Sequence, residues 1–137
     1  MPTVAALDHV ESILSDKDQP VVLFALEWCE FSWSVRKLFA AAGIPYRSVD
    51  LDGPGYREND WGGAVRKALA KKTGAVTIPQ IFVGGRHIGG ATETFDAFNS
   101  GDLHRLVRKC GVTLAEADVA DAYGFLPAWL HPRKPAA

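Results

Sequence analysis

Cysteine is scarce in this chain, whose 137 residues hold two, Cys29 and Cys110. Two cysteines build neither a disulfide framework nor a four-cysteine zinc site, and a reducing cytosol is the expected compartment. No apolar run approaches the roughly 20 residues that a membrane span requires. No charge of one sign dominates: 15 Lys and Arg stand against 16 Asp and Glu, a formal net charge of −1. That balance gives no electrostatic case for nucleic acid or an anionic membrane as partner. The opening stretch MPTVAALDHVESILSDKD carries acids and no basic n-region, so a secretory signal is not expected. Internal repeats and low-complexity blocks are missing too. His87 is far in sequence from His9, His104 and His131, and no His/Cys spacing suggests a mononuclear metal site.

What is present fits one domain over residues 1–137, 47% hydrophobic and long enough to bury a core. Residues 4–15 place Val4, Leu7, Val10, Ile13 and Leu14 at helical spacing. QPVVLFAL (19–26) is a short apolar run suited to a strand buried on both faces. From Cys29 to Ala42 the period becomes helical again, and Gly43 follows as a stop. IPYRSVDLD (44–52) reads as a second strand, GPGYREN as a loop, and residues 60–73 as a helix ended by Gly74. TIPQIFVGGRHIGG (77–90) reads as strand, Gly-Gly turn and strand, and a final helical region covers 92–110. Residues 111–137 form a C-terminal extension. Its tail LPAWLHPRKPAA holds three of the eight prolines, and Trp129 and Leu130 are candidates to anchor it. The order β-α-β-α-β-β-α predicts an α/β fold, a mixed four-stranded sheet with helices on both faces.

Cys29 stands at the predicted start of a helix, where unpaired backbone N–H groups and the macrodipole favour an anion. A thiol attacks as thiolate, so this position suits a nucleophile. Glu27 and Glu30 oppose the anion; Arg36 and Lys37, two turns on, favour it weakly. Read alone, Cys29 is equally a small buried hydrophobe. Ser32, one turn on, can donate its hydroxyl towards the sulfur but cannot close a disulfide. Downstream, Thr77-Ile78-Pro79 precedes a strand; a cis bond there would turn the Ile78 backbone outward to pair with an extended peptide. Gly89-Gly90 permit close approach of a ligand backbone, and Thr92 or its neighbours can cap the next helix, whose N–H groups can hold a carboxylate.

Cys-x-x-Ser at a helix start, Thr-Ile-Pro before a strand and Gly-Gly before the last helical region resemble a glutaredoxin of the thioredoxin-like superfamily. The likeness covers about residues 19–110, and KTGAVTIPQIFVGGRHIGG is its most specific part. It implies that Cys29 carries glutathione as a mixed disulfide and that Thr77, Ile78 and Pro79 pair with the tripeptide backbone. The turn from Gly89 through Gly90 and Thr92 to Glu93 would receive the γ-glutamyl end, with Trp28 and Phe31 walling the groove. The family's basic residue shortly before the cysteine is absent; Ala25, Leu26, Glu27 and Trp28 stand there. Arg66 matches the family's second contact to the glycyl carboxylate, with Lys67 a weaker candidate. Glu93 would replace the family's Asp opposite the γ-glutamyl ammonium.

The resemblance implies a cytoplasmic, monomeric oxidoreductase that removes glutathione from proteins or small disulfides by a monothiol route. Two alternatives stand beside it. One is a homodimer holding a [2Fe–2S] cluster with two cysteines and two glutathiones; Phe31-Ser32 echoes that class, but Glu30 replaces its glycine. The other is a Cys-Glu-Phe-Cys dithiol parent whose second cysteine was replaced by Ser32. Cys110 reads as a structural residue, a distant resolving thiol or a modification site, and Trp33 as a partner contact.

Overall fold

The computed structural model describes residues 3–114 and 121–125. Thr3 opens α1 (Val4–Leu14), its hydroxyl accepting the Ala6 N–H at 3.1 Å. Then follow β1 (Val21–Ala25), α2 (Glu30–Ala42), β2 (Arg47–Asp50), α3 (Trp61–Thr73), β3 (Gln80–Val83) and β4 (Arg86–Gly89). The last two helices are α4 (Ala91–Ser100) and α5 (Asp102–Lys109). The strands lie in the order β2-β1-β3-β4, with β1 parallel to β2 and antiparallel to β3, and β3 antiparallel to β4. The mixed four-stranded sheet with helices on both faces is the one expected.

The period of two along a strand divides the core. Val21, Leu23 and Ala25 of β1, with Ile81 and Val83 of β3, face α2, α4 and α5. Val22, Phe24, Val49 and Phe82 face α1 and α3, and the Phe24 and Phe82 rings meet edge-on at 5.6 Å. All five residues of β1 are buried, as a strand covered on both sides requires.

Three boundaries differ from expectation. The first two strands are shorter, because the ladder reaches only the residues where β1 and β2 are in register, Val22–Ala25 against Arg47–Asp50. The loop GPGYREN contains two single turns of 3-10 helix, Pro54–Tyr56 and Glu58–Asp60. The final helical region is broken by Gly101, whose φ of +86° cannot continue a right-handed helix. Part of the extension docks on α4: the Ala122 N–H donates to Asn99 at 2.9 Å, and the Tyr123 hydroxyl donates to Asp96 at 2.6 Å. That acceptor pushes the Tyr123 hydroxyl up to about 12, so it remains a donor at neutral pH. Trp129, Leu130 and His131 lie outside the described residues.

Three histidines pack against rings: His9 on Tyr56 and Trp61, His87 on Phe82, and His104 on Phe98. Burial holds each imidazole below its usual value; Arg47 adds to this for His9 and Arg108 for His104, while Glu93 opposes it for His87. The unfolded chain therefore binds more protons once the pH falls below about 6.5. The stabilisation is complete above that value and declines as the pH falls towards the lower folded values. Thermal denaturation should show Tm falling as the pH drops below about 6.5; a Tm that stays level or rises on acidification through that range contradicts this.

Candidate active site

Cys29 is the N-cap of α2, with its carbonyl accepting the Trp33 N–H at 2.9 Å and its side chain free of any capping bond. The loop before it is clamped by polar contacts. The Leu26 carbonyl accepts the Cys29 N–H and the Arg36 guanidinium, each at 3.3 Å. The Leu26 N–H donates to the Ser32 hydroxyl at 3.3 Å, and the Glu27 N–H to Asp52 at 2.8 Å. Arg36 also pairs with Asp50 at 2.7 Å. Arg36 therefore works as a brace between β2 and the loop, rather than as a free charge beside the sulfur. Lys37 lies over the Trp33 ring, 5.4 Å from its centroid.

The sulfur faces the chain that enters β3. Cys29 Sγ stands 3.9 Å from the Ile78 carbonyl oxygen, and the Ile78–Pro79 bond is cis. Thr77 is exposed, Ile78 half-buried and Pro79 buried. The Gly89-Gly90 turn is adjacent, since a Cβ on Gly90 would lie 3.4 Å from the Pro79 carbonyl oxygen. Gly89 is required by its φ of +130° and by its neighbour: a Cβ there would stand 2.8 Å from Glu93 Cβ and Cγ. Gly90 is the N-cap of α4 without a side-chain cap. Thr92 donates its hydroxyl to Glu93 at 2.5 Å, the main reason the Glu93 carboxyl is held below the usual carboxylate range. Thr94, which the sequence did not single out, is buried and donates to the Gly90 carbonyl at 2.8 Å.

Cys29, Ile78, Pro79, Gly89, Gly90, Thr92 and Glu93 thus form one continuous rim. Ser32 is fully buried, and its hydroxyl accepts from the loop backbone. Trp28 lines a cavity of about 480 Å³ at the sulfur; Trp33 lines it too, and Phe31 does not. Arg66 is exposed on α3 and does not line that cavity. Gln80 escaped sequence reasoning. It is buried, and its amide donates to the carbonyls of Ala75 at 2.8 Å and Thr77 at 3.2 Å, which fixes the path into Ile78-Pro79. A polar residue inside the apolar run IPQIFV was the available signal.

A glutaredoxin family model matches residues 21–88. Glutaredoxin-C6 of rice (Oryza sativa subsp. japonica) is 37% identical over 98 residues, 72% of this chain and 83% of that protein. The chain belongs to the glutaredoxin family. The rice monothiol glutaredoxin-S10 is 33% identical over 105 residues, 77% of this chain but 60% of the relative's length. A crystal structure of a buckwheat glutaredoxin–glutathione complex superposes with a TM-score of 0.70 at 33% identity, over 78% of this chain and 91% of that one. Glutaredoxins are thiol–disulfide oxidoreductases as a class. Relatives named as chloroplastic and as mitochondrial match at similar identity, so the family carries no single compartment. No helix among the described residues is long and apolar enough to cross a membrane.

Gln80→Leu leaves two loop carbonyls of this glutaredoxin without their donor, which should cost about 1–3 kcal/mol of stability. Denaturant midpoints measure that loss, and hydrogen exchange should quicken between residues 75 and 79. Unchanged midpoints and exchange contradict the role assigned to Gln80.

Proposed function

We propose that the protein removes glutathione from mixed disulfides through Cys29 alone. The observation that carries this reading is the Cys29 sulfur 3.9 Å from the Ile78 carbonyl, at the edge of a backbone rim shaped for an extended peptide. The Cys29 thiolate attacks the glutathione sulfur of GS–SR. The new Cys29–SG bond forms as the S–SR bond breaks, and the electron pair leaves on RS⁻, which takes up a proton. A second glutathione thiolate then attacks the same sulfur, which yields oxidised glutathione and returns the Cys29 thiolate. An external thiol is needed because Ser32 occupies the position one turn on. Cys110 packs beside Gly84, which is bonded to Pro20 at the opposite end of β1. That strand of five residues spans roughly 16 Å, beyond disulfide reach.

The rim residues divide glutathione between them. The Ile78 N–H and C=O pair with the tripeptide backbone, with Thr77 and Pro79 shaping that edge. The α4 amides at Thr92 and Glu93 receive the γ-glutamyl carboxylate, and the ionised Glu93 receives its ammonium. Phe31 covers the cysteinyl part, and Arg66 takes the glycyl carboxylate. The carboxylate of the buckwheat protein's ligand is the chemistry that Arg66 would meet here. The alternative reading is a homodimer in which each chain brings the Cys29 sulfur and one glutathione to a shared [2Fe–2S] cluster.

Turnover of a glutathione–cysteine mixed disulfide tests the reading. Cys29→Ser should abolish it and Cys110→Ser should retain it. Arg66→Ala should raise KM for the glutathionylated substrate about 3- to 10-fold, equivalent to ~0.7–1.4 kcal/mol, with little change in kcat. An unchanged KM removes Arg66 from the site. A stable iron-bound dimer with negligible turnover overturns the deglutathionylation reading as a whole.

A further inference from the structure

The sulfur of Cys29 has two sides of different chemistry. One is the backbone rim at Ile78. The other is the cavity of about 480 Å³ lined by Glu27, Trp28, Cys29, Glu30 and Trp33. Attack on a disulfide aligns three sulfurs, so a glutathionyl group seated on the rim directs the departing thiol, and the chain that bears it, over the open side.

That open side is aromatic and acidic. Trp28 is 90% exposed and Trp33 47% exposed, an apolar display that water disfavours and that recognition surfaces use. Glu27 and Glu30 line the same cavity, and among the described residues no basic one does. Asp52 stands behind them, its carboxylate holding the Glu27 N–H at 2.8 Å. Of the nearby cations, Arg36 is tied to Asp50, and Lys37 already rests on the Trp33 ring. Lys37 shows that this indole accepts a cation, and Glu27 and Glu30 are in no ion pair among the described residues.

We infer that this cavity receives the polypeptide half of the substrate and selects glutathionylated cysteines flanked by Lys or Arg. The inference rests on the deglutathionylation reading. Glu27 and Glu30 attract the flanking cation, Trp28 and Trp33 cover its aliphatic stem, and an acidic flank is repelled. Both pairs are partly solvated, so the discrimination is moderate and salt-sensitive.

Two S-glutathionylated peptides that differ only in Lys or Glu beside the modified cysteine provide the test, with a small glutathione–cysteamine disulfide as reference. The Lys peptide should show kcat/KM about 5- to 30-fold above the Glu peptide in 0.05 M salt, and the ratio should shrink in 0.5 M salt, where the Debye length is about threefold shorter. Glu27→Lys with Glu30→Lys should invert the preference, and Glu27→Gln with Glu30→Gln, which keeps side-chain size, should flatten it. Equal values for the two peptides, or a preference that survives both double variants, overturns the inference while reference turnover continues. Loss of turnover on all three substrates by the unaltered protein instead overturns the reading on which it rests.

Discussion

The antiparallel pairing of β1 with β3 is the constraint on which the site depends. Phe24 stands opposite Gln80, so the chain leaving β1 towards Cys29 meets the chain entering β3 through Ile78 and Pro79. A slip of one residue would exchange the two faces of β1 and carry Leu23 and Phe24 into the wrong cores. The hydrophobic pattern that divides the core therefore also sets the sulfur beside the Ile78 carbonyl. Packing and chemistry are specified by the same register.

Polar contacts refine what the register establishes. Arg36, Asp50, Asp52 and Ser32 fasten the loop between β1 and α2, while Gln80 fastens the loop between α3 and β3. Each uses a buried or half-buried group to satisfy backbone that no ladder reaches. The thiol is consequently presented from a loop whose backbone is hydrogen-bonded on both sides of it. In the proposed reading glutathione meets backbone on the rim side, which is indifferent to side-chain sequence. On the cavity side the polypeptide is proposed to meet tryptophan and glutamate, which are not.

Much of this arrangement was legible in the residues. Period-two and helical patterning marked the strands and helices, and Cys29, Thr77-Ile78-Pro79 and Gly89-Gly90 announced the rim because thiol, proline and paired glycines have few other uses in that order. Less legible were contacts that depend on partners distant in sequence. Arg36 read as a weak helper of the anion, but Asp50, on a neighbouring strand, claims its guanidinium. Ser32 read as a donor to the sulfur, but burial turns its hydroxyl to the Leu26 amide. Thr92 read as a cap, but it bonds Glu93, and the bond back to Gly90 comes from Thr94. Short polar side chains choose among nearby backbone groups, and composition does not encode that choice.

Amide hydrogen exchange of the reduced protein against the protein glutathionylated on Cys29 tests the central claim most directly. A glutathionyl group lying along the rim should slow exchange at the Ile78 amide and at those of Thr92 and Glu93. Unchanged exchange at all three, with protection confined to Trp28 and Trp33, would place glutathione in the cavity and contradict the two-sided site.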